Sequence, residues 1–198
     1  MDFEGVRRHE PTEVTDEEQD AAVIVPILER EEPSMLFTKR ADHLSNHPGQ
    51  MSFPGGRREP EDEDLWWTAL REGKEEVCLQ PDEIRRVGRL DDIRTVTRFS
   101  VRPFVSLVPD RNYTPCEDEV AETAILPLAE LTALDNYESE RREHPHYGTI
   151  RLHFFRVDGY TVWGATARML VQFLQLATDW EMPPEVDREV GPDADLPV

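Results

Sequence analysis

The stretch "FPGGRREPEDEDLWWTALREGKEEVCL" runs from Phe53 to Leu79. Two glycines are followed by a run of acids and then by a segment with helical spacing. That segment, Leu65 to Val77, carries glutamates at 72, 75 and 76. At about 100° per residue, Trp66, Leu70, Gly73 and Val77 fall on one face and the three glutamates on nearly the opposite one. Stacked carboxylates at i, i+3 and i+4 repel each other and disfavour an isolated helix. They become favourable when divalent cations sit among them, and oxygen-only donors at this density suit Mg²⁺ or Mn²⁺ rather than zinc. Glu72, Glu75 and Glu76 are therefore the expected metal ligands.

The glycines fit the same scheme. Gly55 and Gly56 allow close backbone approach or positive φ, so a loop there can bring a backbone carbonyl to the same metal cluster. Gly73 inside the helix costs roughly 1 kcal/mol relative to alanine, which predicts a close-packed neighbour. Arg71 can orient a carboxylate through its planar fork, with Asp62 or Glu63 as partner. The chain holds 42 acids in 198 residues, so three specified acids arise by chance roughly once in a hundred placements. The joint pattern with the glycine pair and Arg71 is much rarer.

Net charge is -20, with 22 bases of which only Lys39 and Lys74 are lysine. That argues against a basic nucleic-acid-reading face and against adhesion to an anionic membrane. The acid excess predicts a protein suited to concentrated salt, where the Debye length is about 3 Å or less and acids repel little. An acidic protein from a GC-rich genome would carry the same bias. Cys78 and Cys116 form no spaced framework, so a secreted disulfide scaffold is not expected. The first 20 residues lack the apolar core of a signal peptide, and "AAVIVPIL" is too short to span a bilayer. The chain reads as soluble and cytoplasmic.

Residues 1–20 are expected as an acidic arm or helix. Strands are expected at Ala21–Glu29, Met35–Arg40, in a short piece before Gly55, at "VGRLDDIRTV", "SVRPFVSLVP" and "VAETAILPL", and in a hairpin of "TIRLHFFRV" and "YTVWG" turning at Asp158-Gly159. A short helix follows at "LAELTAL", and "ATARMLVQFLQLATDW" is amphipathic. "DNYESERREHPHYG" reads as a long polar loop, and residues 179–198 as a disordered, proline- and acid-rich tail. The class is α+β, a mixed sheet sandwich flanked by helices.

The Phe53–Leu79 stretch resembles the Nudix box through Gly56, Arg71, Glu72, Glu75, Glu76 and Leu79. It departs by one extra residue between Gly56 and Arg71, by Gly73 at an apolar position, and by Cys78 at the final glycine. The preceding "LFTKRADHLSNHPGQMSFPGG" is similar to the signature of the coenzyme A pyrophosphatase branch, through Leu36, Thr38, Arg40, Ala41, Gly49 and Phe53-Pro54-Gly55-Gly56. Ser45 stands where that branch usually has arginine. "VWGATARML" is similar to its closing hairpin and helix, so the resemblance covers about residues 21–178.

The resemblance implies a Nudix fold and metal-dependent hydrolysis of a nucleoside diphosphate linked to another group. For this branch the substrate is coenzyme A, cut to 3',5'-ADP and 4'-phosphopantetheine. Glu72 and Glu76 are the most direct metal ligands, with Glu75 and Gly56 assisting. Candidates for the general base are Glu75, Glu119 and Glu122. Arg40, Gly55 and Gly56 meet the substrate, with His43 and His47 as weaker candidates. Trp66 reads as core, and the histidines of "HPHY" at 144–147 as solvated loop. The expected partner is a small nucleotide, and a homodimer is left open. Alternative substrates are ADP-ribose, NADH and dinucleotide polyphosphates. A non-catalytic binding module would be favoured by loss of a box glutamate, and none is lost.

Overall fold

The centre of the molecule is a ten-residue strand, β1 (Gln19–Leu28), whose residues from Ala21 onward are all buried. In the computed structural model, which describes residues 2–44, 48–144, 148–191 and 194–196, both faces of β1 are covered. That is why its sequence is a nearly continuous apolar run. Val23, Val25 and Ile27 enter one core, while Ala22, Ile24 and Leu28 enter the other.

β1 lies parallel to β7 (Phe99–Val108) over its full length. On its other side it pairs antiparallel with β2 (Ser34–Arg40) and then with β4 (Gly55–Arg57). The sheet extends from β2 to the two-residue β3 (Met51–Ser52) and to β8 (Val120–Pro127). Beyond β7 it takes in β5 (Arg85–Arg89) and β6 (Ile93–Arg94). The expected single strand at 87–96 is thus split. The split turns Asp91 and Asp92 towards the N-terminal segment, where they accept from the Thr12 and Val14 amides.

α1 (Glu4–Arg8) buries Val6, so the first 20 residues are tied to the body. α2 (Leu65–Val77) covers one face of the sheet, with Ala69 and Val77, and Leu79 just beyond the helix, clustered with Ile24, Leu36 and Phe104. The other face meets α4 (Gly164–Ala177) and a second sheet, in the order β11 (Tyr160–Trp163), β10 (Gly148–Val157), β9 (Tyr137–His144), β12 (Arg188–Val190). Short α3 (Leu128–Thr132) leads into it. The Asp158-Gly159 turn has positive φ at both residues, as the hairpin reading requires.

Two expectations are corrected. The polar segment 135–148 is not a loop throughout: β9 occupies Tyr137–His144. Its charges are matched by neighbours, Glu138 with Arg156 and Arg188, and Glu140 with Arg142 and Arg188. The tail is not uniformly disordered either. Trp180 is buried edge-on to Tyr137, Asp187 accepts from the Ser139 amide, and β12 runs parallel to β9. Its acidic and polar residues find arginines and peptide groups on the second sheet, a rescue that composition does not encode. Among the described residues no helix is long and apolar enough to cross a membrane.

Candidate active site

α2 starts where Asp64 accepts from the Trp67 amide and ends at Cys78, which sits in the left-handed region at φ 55°. Glycine would adopt that conformation without strain. Gly73 lets the helix dock: a Cβ there would come within 2.8 Å of the Ile24 side chain. Leu70, Gly73 and Val77 are buried as the wheel predicts, and Trp66 packs on Phe104. Trp67 is 47% exposed. The acidic face, however, is not a solvent face. Glu76 is only 7% exposed and Glu72 is half-buried, because the Pro54–Arg57 segment lies over them.

That segment is built for proximity. Gly55 adopts φ +152°, and a Cβ on it would strike the Ala22 carbonyl at 2.3 Å. Its amide donates to Glu76 at 3.1 Å. A Cβ on Gly56 would lie 2.5 Å from the Glu72 carboxyl carbon. Any side chain there would displace the carboxylate.

Arg71 organises the acids. Its guanidinium donates to both oxygens of Asp62 (3.1 and 3.2 Å), to Glu72 and Glu75 (2.9 Å each) and to the Arg57 carbonyl (2.9 Å). The partner is therefore Asp62 rather than Glu63. Burial alone would raise the Asp62 carboxyl, but Arg71, the Glu59 amide and the Thr68 hydroxyl outweigh it and hold it below its usual value. Glu72 is raised by burial, with Arg71 opposing and Glu75 and Glu117 adding to the rise. Glu76 is pushed up to about 8 by burial; the Gly55 amide and Arg40 oppose, while Glu72 and Glu117 add.

Arg40 and Glu119 are brought to this side, 3.9 Å apart. Glu122 is not. On β8 it pairs with Lys39, so it projects with Phe37 and Ala124 towards the second sheet. There it accepts from the Tyr160 hydroxyl and lies 3.9 Å from the Lys39 ammonium. The sequence reading missed Glu117, whose carboxyl is raised by burial and then by Glu75 and Glu119. It also missed the disulfide between Cys78 and Cys116, with Cα atoms 5.8 Å apart. The available signal was that the only two cysteines stand at the end of the box helix and directly before Glu117. His43 is exposed, while His47 and the 145–147 part of "HPHY" lie outside the described residues.

Among the described residues no three side chains form a ready-made cation cage, since Arg71 holds Glu72 and Glu75 in this arrangement. The donor set nevertheless fits a hard divalent ion. Among the described residues Glu76 is a buried carboxylate that accepts from the Gly55 amide beside a like-charged neighbour, Glu72, and carboxylate oxygens are what such an ion takes.

The description "NUDIX domain" fits residues 18–147. A relative named uncharacterized Nudix hydrolase NudL, from Enterobacter sp. strain 638, is 40% identical over 156 residues, 77% of this chain and 79% of its own length. The protein of the same name from Salmonella paratyphi B is 36% identical over 167 residues, 82% of this chain and 85% of its own. The NUDIX domain of Shewanella oneidensis NrtR complexed with ADP ribose is more distant, at 19% identity and TM-score 0.47 over 65% of this chain and 84% of that one. Domain match and relatives together make the chain a member of the Nudix hydrolase family, and thus a pyrophosphohydrolase of a family that generally uses divalent metal ions.

Proposed function

We propose that this chain hydrolyses the pyrophosphate bond of coenzyme A or its derivatives, giving 3',5'-ADP and 4'-phosphopantetheine. The observation that carries the reading is the junction of signature and box. Gly55, in the segment similar to the coenzyme A branch, donates to Glu76, and the charge of Arg40 acts on the same carboxylate.

In this reading Glu72, Glu76 and the Gly56 carbonyl hold Mg²⁺ or Mn²⁺. The bound ion neutralises phosphate charge and acidifies water. Arg71 keeps Glu72 and Glu75 oriented through Asp62. Arg40 meets phosphate oxygens. The proton of the attacking water goes to Glu75, Glu117 or Glu119, the acids on this side of the sheet. Glu122 has no part in that transfer.

The test is incubation with coenzyme A and Mg²⁺ or Mn²⁺, in low and high salt, with chromatography for 3',5'-ADP. Chelator-sensitive product is expected, with activity persisting in high salt if the net charge of -20 reflects a concentrated-salt interior. Cleavage of ADP-ribose, NADH or a dinucleotide polyphosphate without coenzyme A turnover would keep the hydrolase and discard the coenzyme A reading.

A further inference from the structure

The loop between β7 and β8 carries Glu117 and Glu119 towards a helix that is itself acidic. Its base is well anchored. The Tyr113 hydroxyl donates to Pro109 at 2.8 Å, Thr123 donates to the Tyr113 carbonyl at 2.6 Å, and the Ala41 amide to the Glu119 carbonyl at 2.8 Å. Arg111 binds the Cys78 carbonyl at 3.2 Å and Glu83 at 2.8 and 3.0 Å. The stretch between, 114–118, reaches α2 through Cys116 among the described residues. The Cys116 amide donates to the Glu76 carbonyl at 3.0 Å, and its sulfur is bonded to Cys78. Both cysteines are exposed.

The forces on this stretch oppose one another. Glu117, exposed and next to the tethered Cys116, acts through its charge on Glu72 and Glu76 and is itself raised by Glu75, with Arg71 as the countercharge on the helix side. Like charges push the loop away, and one peptide hydrogen bond is a weak restraint against them. The covalent bond is the strong one.

We propose that the Cys78–Cys116 disulfide is a positioning device for the active site: it holds Glu117 against the box carboxylates, and its reduction releases Glu117 and lowers turnover. The step is a two-electron exchange. A dithiol donates two electrons and two protons, the S–S bond breaks to two thiols, and the dithiol leaves as its own disulfide. The inference rests on the box being the catalytic site, but not on which nucleotide is cleaved.

The experiment compares oxidised protein, dithiothreitol-reduced protein (verified by thiol count) and reoxidised protein, each as wild type and as Glu117→Gln. The first readout is hydrogen exchange of the metal-free protein at the Cys116 amide. Reduction should accelerate exchange in wild type and much less in Glu117→Gln, where the repulsion is gone. The second is kcat/KM on whichever nucleoside-diphosphate derivative is turned over. Reduction of wild type should cost about 10²-fold, the scale of an ångström-level misplacement, and reoxidation should restore it. Glu117→Gln should cost as much when oxidised, and its reduction should add little. A crosslink that merely stabilises the fold would give multiplicative losses and the same exchange change in both proteins, which overturns the proposal. Unchanged kcat/KM on reduction overturns it too. If no substrate is turned over, the exchange comparison still decides whether the loop is held against charge.

Discussion

Two buried carboxylates divide this molecule by the company they keep. Glu140 on β9 is 1% exposed and is met by Arg142 at 2.8 Å and Arg188 at 3.2 Å. Glu76 on α2 is 7% exposed and has one backbone N–H at 3.1 Å, with Glu72 close enough to raise its pKa. Burying a charge is costly unless it is paired. Glu140 satisfies that rule within the chain, so it holds the second sheet together. Against burial Glu76 has the Gly55 amide and the charge of Arg40, and its carboxyl is still pushed up to about 8; in the proposed reading a bound cation supplies the remaining countercharge.

The contrast breaks if both residues behave alike on substitution. Glu76→Gln should lower kcat/KM by more than about 10²-fold, since even outer partners of a metal site cost 10–100-fold. The amide still accepts from Gly55 and cannot ionise in the buried site. Metal-free Glu76→Gln should therefore melt no lower than wild type in chelator, by calorimetry. Glu140→Gln should do the reverse. It leaves Arg142 and Arg188 short of charge and should cost about 3 kcal/mol in urea unfolding, with kcat close to wild type.

A smaller effect sharpens the comparison through pH. His153 is a buried residue of β10 in the second sheet, with Nδ1 2.8 Å from the Tyr137 hydroxyl. Burial, with Arg151 and Arg168 nearby, lowers it from 6.5 to about 4. The folded chain keeps it neutral while the unfolded chain protonates it, so the contribution is present above pH 6.5 and is lost as pH falls towards 4. At most about 3 kcal/mol is at stake. His153→Gln should flatten the stability profile between pH 6.5 and 4, measured by urea midpoints, without moving the box helix.

The same contrast explains what the sequence disclosed. Leu65–Val77 is legible to the residue because its apolar and acidic spacings both have the helical period and Asp64 caps it. β1, β2 and β7 are legible as apolar runs. The box carboxylates, Gly55, Gly56 and Arg71 were visible as a pattern, and the fold class with them. β9 was hidden because a strand whose charges are matched across strands looks like a polar loop in one dimension. β12 was hidden for the same reason. The bridge to Cys116 and the nearness of Glu117 depend on a loop returning to α2 after 38 residues, and no local period records such a return. The middle acid was legible only as a pair, Asp62 or Glu63; the choice needed the position of Arg71 in space.

Glu122 tests the sheet geometry most finely, because the sequence makes it a candidate base and the fold places it on the face turned to the second sheet. Read along the chain, it is an acid in "EDEVAET" near the box and a candidate base. In the folded chain its register partner is Lys39, and alternation along β8 sends it to the face that holds Phe37 and Ala124, away from α2. Its contacts there are the Tyr160 hydroxyl and the Lys39 ammonium. In the proposed reading the attacking water sits at Glu72 and Glu76, across the sheet from this carboxylate. Glu122→Gln keeps an oxygen for Tyr160 and should change kcat less than about threefold, the scale of an ordinary surface substitution. Steady-state kinetics at saturating metal decides it. A fall of two orders of magnitude in kcat would mean that β8 presents the opposite face during turnover, and the division of acids between the two sides of the sheet would have to be redrawn.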